Sequence, residues 1–310
     1  DSNIQHSLYV GSYGRDTDIH TSDIDVLVIL PASVYQKFNK YSTGGQSALL
    51  QEVKEVIKKT YSTTHIRADG QVIVLSFSDS IVFEIVPCFL NNDNLTFTYP
   101  DTNNGGSWKI TNPRAEIKAI NDGNILYNKN LKRLCRMLRA WKEKNDVRIG
   151  GLLIDTLAYN FISQWEYRDK SFMYYDWMSR DCFEYLKKQD PDQTYWKAVG
   201  SGQCVWRTGA FENKAKKSLR EKIALEVENI TDGLGKKIDN GIKEAIIVFK
   251  LNGFETTDSC EGHIDWGYPF PWIDIVAPIT NSDRYKELQK KYKEIHSFSP
   301  SEIEEEKMLD

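Results

Sequence analysis

The spacing of apolar positions changes partway along the chain, from short runs that suit strands to helical periodicity. Val26-Leu27-Val28-Ile29-Leu30 is an unbroken apolar stretch, and Val72 to Phe77 and Ile81 to Phe89 are two β-rich runs joined by Ser78-Asp79-Ser80. Short apolar runs bounded by turn residues predict strands, and the second pair reads as a hairpin. A helix is expected around Gln46 to Lys59, and the stretch Asn91 to Ser107, rich in Asn and Gly, reads as a loop. Asn112 then suits a helix N-cap, with Pro113 at the first helical position. Helices are predicted near Pro113 to Asn121, Asn130 to Lys144, Gly151 to Arg168, Phe172 to Lys188 and Glu212 to Glu228.

From about Gly235 the texture changes again. An amphipathic helix from Lys236 to Leu251, stopped by Gly253, precedes strands at Phe254 to Thr257 and Trp272 to Val276, a charged helix from Ser282 to about Ile295, and an acidic tail, Glu302 to Glu306. The expected fold class is α+β: a mixed sheet with flanking helices over residues 1–112, a helical lobe over 113–234, and a small α/β appendage over 235–310.

Candidate chemistry gathers in the first of these. Asp23 and Asp25 open the strand that continues to Leu30, and residues two apart in a strand point the same way. Two carboxylates on one face repel unless a cation sits between them, and Mg²⁺ takes one or two carboxylates together with phosphate oxygens. A short loop upstream, Ser12 lies between Gly11 and Gly14, where a hydroxyl and close-packed backbone N–H groups can meet phosphate oxygens. Glu84 is the only charge in Ile81 to Pro87; burying a lone carboxylate is costly, so it needs a metal, a cation or a proton unless it faces solvent at a sheet edge. Asp-x-Asp and Gly-Ser are each common by chance. Their succession as turn, loop, Asp-x-Asp and apolar strand resembles the signature of the polymerase-β-like nucleotidyltransferases.

A narrower resemblance rests on Gly11-Ser12-Tyr13, Thr17-Asp18-Ile19, Ser22-Asp23-Ile24-Asp25-Val26-Leu27-Val28, Phe83-Glu84-Ile85-Val86-Pro87 and Trp108-Lys109-Ile110-Thr111-Asn112-Pro113. With the helix Leu131 to Trp141 and the segment Gly150 to Asp155, these are similar to the bacterial cGAS/DncV-like nucleotidyltransferases, the CD-NTases with a SMODS-type catalytic domain, over roughly residues 7–230. The resemblance implies a polymerase-β-like lobe that joins nucleoside triphosphates (ATP, GTP or pyrimidine triphosphates) into cyclic di- or trinucleotide second messengers. Pyrophosphate would be released, and an antiphage effector would sense the product. Carried over by motif, Gly11 and Ser12 would contact the triphosphate, and Asp23, Asp25 and Glu84 would hold Mg²⁺, or Mn²⁺ in its place, with Glu84 as the base. The chain departs from the family at Arg139, where a Lys is usual, at Gly151, where a Ser often stands, and at Glu84, where Asp is the alternative. Arg139 retains a forked donor set for phosphate and is the third nucleotide-binding candidate.

Composition narrows the partners. The formal net charge of −4 argues against a long nucleic-acid track, which demands a basic footprint. Locally, Lys132, Arg136 and Arg139 form a basic stripe beside Leu131, Leu134, Leu138 and Trp141; apart from Arg139, these charges read as a solvated face. No apolar run approaches the roughly 20 residues of a membrane helix, no secretory leader is read, and the five scattered cysteines suit a reducing, cytoplasmic setting. Because the chain opens on Asp1 rather than Met and the family usually has a helix ahead of its Gly-Ser turn, a preceding segment is expected. Gly200-Ser201-Gly202-Gln203 is a further candidate for lining the nucleotide pocket. Cys260 and His263 make half of a tetrahedral zinc set and read as a structural turn. The rival enzyme class is a nucleotidyltransferase acting on a protein, an antibiotic or an RNA end.

Overall fold

The computed structural model describes residues 6–20, 22–62, 64–231, 235–260, 272–275 and 290. The chain enters through β1 (Ser7–Tyr9), the five-residue helix α1 (Gly11–Arg15) and β2 (Ile24–Ile29), followed by helices α2 (Ala32–Asn39) and α3 (Gly45–Thr60). Strands β3 (His65–Asp69), β4 (Val72–Ser76), β5 (Val82–Leu90), β6 (Phe97–Asp101) and β7 (Ser107–Thr111) complete a seven-stranded sheet in the order β1-β2-β5-β4-β3, extended through β6 on β5 and β7 on β6. Only the β2–β5 pair is parallel; its antiparallel neighbours make the sheet mixed. The expected hairpin is β4–β5, with Ser76 opposite Val82.

Alternation decides which face is covered. On one face Ile73, Leu75 and Phe89 pack with Phe38 of α2 and Leu49 and Leu50 of α3, each fully buried side chain contributing roughly 1.5–3 kcal/mol. On the other, Val10, Leu27, Cys88 and Phe97 form a separate cluster. The first residues of β2 and β5, beyond that cluster, are left open for chemistry.

Helices follow: α4 (Pro113–Leu126), α5 (Asn130–Lys144), α6 (Gly151–Gln164) and α7 (Tyr175–Lys187), then the hairpin β8 (Tyr195–Lys197) and β9 (Cys204–Trp206), and α8 (Glu212–Asn229). Asn112 caps α4 as expected, its side-chain oxygen accepting from the Ala115 N–H at 3.2 Å. That helix runs past the expected end at Asn121 because Gly123 is a packing position rather than a stop. A Cβ there would lie 2.7 Å from the Tyr159 ring and 3.0 Å from Leu131.

Several expectations are corrected. The loop expected at Asn91 to Ser107 contains β6, and the charges of Lys132 and Arg136 do not face solvent alone. Lys132 Nζ meets Asp16 at 3.0 Å, while Arg136 bonds the Asp16 carboxylate and its carbonyl, the latter at 2.8 Å. Gly200-Ser201-Gly202-Gln203 turns the β8–β9 hairpin: Gly200 has φ +85°, and a Cβ on it would lie 2.2 Å from the Ala115 carbonyl oxygen, and Ser201 donates to Glu116 at 2.8 Å. Helix α6 stops at Gln164, and a 3-10 turn (Phe172–Tyr174) precedes α7.

The chain divides into two compact units, Asp1–Lys214 and Ala215–Asp310. In the second, α9 (Lys243–Leu251) starts later than expected, after a 3-10 turn at Asn240–Ile242. Asp239-Asn240-Gly241 supplies turn chemistry where the expected helix would already be running. Strands β10 (Thr256–Cys260) and β11 (Trp272–Ile275) pair antiparallel. His263, the acidic tail and, apart from Lys290, the helix expected from Ser282 lie outside the described residues. No helix among the described residues is long and apolar enough to cross a membrane.

Candidate active site

The parallel pairing of β2 and β5 sets Asp25 directly opposite Glu84. Residues paired in register share a face, and Asp23, two residues before Asp25, shares it by alternation. Asp23 is exposed, while Asp25 and Glu84 are half-buried. Burial pushes the Asp25 carboxyl up, with the Asp23 charge adding to it and Arg15 and Arg139 pulling against it. Burial also pushes Glu84 up, reinforced by Asp25, Asp23 and Asp69 and opposed by Arg67. In both, burial outweighs the pull of the nearby guanidinium groups.

The turn before β2 is built around Asp25. Gly11 has φ +60°, and a Cβ on it would lie 1.7 Å from Asp25 Oδ2, so only glycine lets the carboxylate rest against the backbone. The Val10 N–H donates to the Asp25 carbonyl at 2.9 Å, fixing the turn to the strand. Gly11→Ala is expected to displace the Asp25 carboxylate and lower activity about a hundredfold, since a misplacement of about 1 Å at a reacting centre has that effect. Gly44→Ala is the control, because Gly44 has φ +71° with nothing within 4 Å of its missing Cβ. Kinetics and thermal unfolding of both variants check this: equal activity in the two would refute the packing argument.

Beside the carboxylates lies a cleft of about 480 Å³, lined by Gly11, Ser12, Arg15, Ile19, Ser22, Asp23 and Asp25 from the sheet side and by Arg139, Lys142, Glu143, Gly151, Leu152 and Ile154 from α5 and α6. It thus brings together Gly11, Ser12, Asp23, Asp25 and Arg139. Glu84 stands outside the lining, one strand beyond Asp25.

Arg139 is anchored rather than loose. Its Nη1 and Nη2 donate to Asp155 at 2.5 and 2.9 Å, and Nη2 also reaches the Gly151 carbonyl at 3.2 Å. Asp155, fully buried, additionally accepts from Arg15 Nε at 2.7 Å and Thr17 Oγ1 at 3.1 Å. Arg15 also pairs with buried Glu116 at 3.6 Å. Burial alone would raise the Asp155 carboxyl, but hydrogen bonds and charge from Arg139, then charge from Arg15, outweigh it and hold it below its ordinary range.

Sequence reasoning missed Asp155, Arg15, Glu116 and Lys142. A signal was present for Asp155, the lone charge in Gly151 to Ile162: an unpaired acid inside an apolar helix demands a cation. Nothing local marked Arg15, whose partner is 140 positions away.

Among the described residues, no three carboxylate, imidazole or thiol side chains stand close enough to enclose a metal ion in this conformation. Like charges on one face hold apart until a cation neutralises them. Asp23, Asp25 and Glu84 are nevertheless the hard oxygen donors that a divalent cation such as Mg²⁺ takes, and Asp25 and Glu84 have carboxyls raised by burial and by their mutual proximity to other carboxylates. The residues fit the metal.

Residues 1–124 match the family of Second Messenger Oligonucleotide or Dinucleotide Synthetase (SMODS) domains. A probable cyclic nucleotide synthase of Bacillus cereus (strain VD146) is 27% identical over 130 residues, which is 40% of this chain and 36% of that protein; the matched stretch thus spans about a third of that relative's length. Among solved structures, the di-nucleotide cyclase DncV of Vibrio cholerae superposes with a TM-score of 0.56 at 12% identity, covering 73% of this chain and 65% of that one. The CdnE c-di-GMP synthase of Capnocytophaga granulosa gives 0.54 at 16%, covering 71% and 72%. CdnC of E. coli MS115-1 gives 0.53 at 15%, covering 74% and 79%. At these identities the likeness is one of fold, and the fold is that of the polymerase-β-like nucleotidyltransferases.

Proposed function

We propose, from the match of residues 1–124 to the SMODS domain family, that the chain joins nucleoside triphosphates into a cyclic di- or trinucleotide second messenger. The observation that carries this reading is Asp25 paired with Glu84 across parallel strands, beside a cleft lined by Gly11 and Ser12. In this reading residues 1–112 are the catalytic lobe, 113–234 the helical lobe and 235–310 an appendage.

Gly11 and Ser12 hold the donor triphosphate. Asp23, Asp25 and Glu84 hold Mg²⁺ or Mn²⁺, which when bound supplies positive charge for the oxygens of the α-phosphate and of the departing pyrophosphate. Glu84 takes the proton of an attacking ribose hydroxyl. The oxygen–phosphorus bond to the α-phosphate forms as the bond to the β-phosphate's bridging oxygen breaks, and pyrophosphate leaves. Arg139 is a positioning residue for the donor, itself oriented by Asp155. The product would be a cytoplasmic antiphage signal sensed by a downstream effector.

Incubation with labelled triphosphates and Mg²⁺, followed by phosphatase, tests the reading. A template-free cyclic product keeps its label through the treatment, since it has no terminal phosphate. Label that is stripped entirely, or attached to protein or RNA, would replace this reading with a transferase.

A further inference from the structure

The carboxylates have two sides. The cleft with Gly11, Ser12 and Arg139 lies on one; on the other the sheet continues outward through β5, β4 and β3. Register fixes what stands there: Asp25 pairs with Glu84, Glu84 with Val74, and Val74 with Arg67. These four residues form one row on one face. Strands about 4.8 Å apart put the Arg67 Cα about 10 Å from that of Glu84 and about 14 Å from that of Asp25.

Arg67 is the only Lys or Arg on this face of β3, β4 and β5, where its neighbours by alternation are His65, Asp69, Val72, Val74, Ser76 and Val82. Its ion pair with Asp69 is long, 3.9 Å, between side chains that are 61% and 66% exposed; such pairs contribute little and yield readily to a stronger anion. A guanidinium grips phosphate through its fork of donors.

Joining two nucleotides requires a donor over Asp23 and Asp25 and an acceptor whose hydroxyl reaches Glu84. With a donor in the cleft, an acceptor placed over β5, β4 and β3 would bring its hydroxyl to Glu84 and turn its 5′ end outward along the row toward Arg67. We propose that Arg67 binds the 5′-phosphates of the acceptor nucleotide and thereby selects a nucleoside triphosphate, rather than a nucleoside, as the chain-initiating acceptor. This rests on the nucleotide-joining function proposed above and adds to it which residue chooses the acceptor.

The test uses the whole chain with Mg²⁺, an α-labelled triphosphate as donor, and either a nucleoside triphosphate or the corresponding nucleoside as acceptor. Wild-type protein is expected to favour the triphosphate acceptor. Arg67→Ala should raise the KM for that acceptor tenfold or more, leave use of the nucleoside unchanged, and leave binding of a non-hydrolysable donor analogue unchanged; Arg67→Lys should recover part of the preference. An undiminished preference in Arg67→Ala, equal losses with both acceptors, or a wild-type protein indifferent to acceptor phosphates would overturn the assignment while leaving the nucleotide-joining function standing. A wild-type protein that makes no product from any triphosphate would overturn both.

Discussion

Asp25→Asn is expected to remove turnover while leaving the protein at least as stable as the wild type. Asn has the shape of Asp, so the packing of the side chain against Gly11 survives. The charge is what disappears, and in the folded state that charge is unfavourable: burial pushes the carboxyl up and outweighs the pull of Arg15 and Arg139. Removing a group held against its preference usually raises stability at the expense of activity. A lost metal ligand takes with it about 4 kcal/mol of transition-state stabilisation, a thousandfold or more in rate. Pyrophosphate release and thermal unfolding measured on one preparation separate the two effects. Wild-type rates in folded Asp25→Asn would refute the metal assignment. Asp23, exposed just ahead of the same strand, gives an independent version of the measurement in Asp23→Asn.

What made this part of the site legible is that strand alternation is local. Once the stretch around Val26 to Leu30 is read as a strand, Asp23 and Asp25 must share a face. The lone acid within Ile81 to Pro87 marked Glu84 on the same reasoning. Their pairing is a different matter. It depends on β2 lying parallel to β5 with α2, α3, β3 and β4 between them in sequence, a crossover that no local pattern encodes.

The elements that were misjudged fail for identifiable reasons. Strand β6 is five residues long, contains Pro100 and sits between Asn- and Gly-rich turns, features that ordinarily demote a strand. It forms because β5 and β7 both pair with it. The Gly-Ser turn proves to be the start of α1, too short to show helical periodicity. Lys132 and Arg136 read as solvated because a basic stripe on one helix says nothing about what faces it, and Asp16 faces it here. The same limit hid the buried network. Arg15, Glu116, Arg139 and Asp155 are scattered over 140 positions, and each has an unremarkable local setting except Asp155.

That network sets the second large effect. Asp155→Asn is expected to destabilise the protein by about 3–5 kcal/mol, the usual consequence of removing one partner from a buried ion pair. The substitution opens no cavity, so the loss reports charge. Arg15 and Arg139, 4% and 5% exposed, would keep their charges, with Glu116 at 3.6 Å from Arg15 and the charges of Asp25 and Asp18 left as compensation. An Asn amide would also turn an N–H donor toward donors, since one carboxylate oxygen now accepts from Arg15, Thr17 and Arg139 together. The sign of the pH dependence follows from the carboxyl's being held below its ordinary range in the folded state. The stabilisation is complete above the unfolded carboxyl's value, about 3.9, and is lost as pH falls toward the lower folded value. Urea unfolding of both proteins should show the full gap at pH 7, narrowing below roughly pH 4. A gap under about 1 kcal/mol at neutral pH would mean that the two guanidinium groups find other partners, and a gap that persists undiminished into strong acid would mean that packing, not charge, ties α1 to α6.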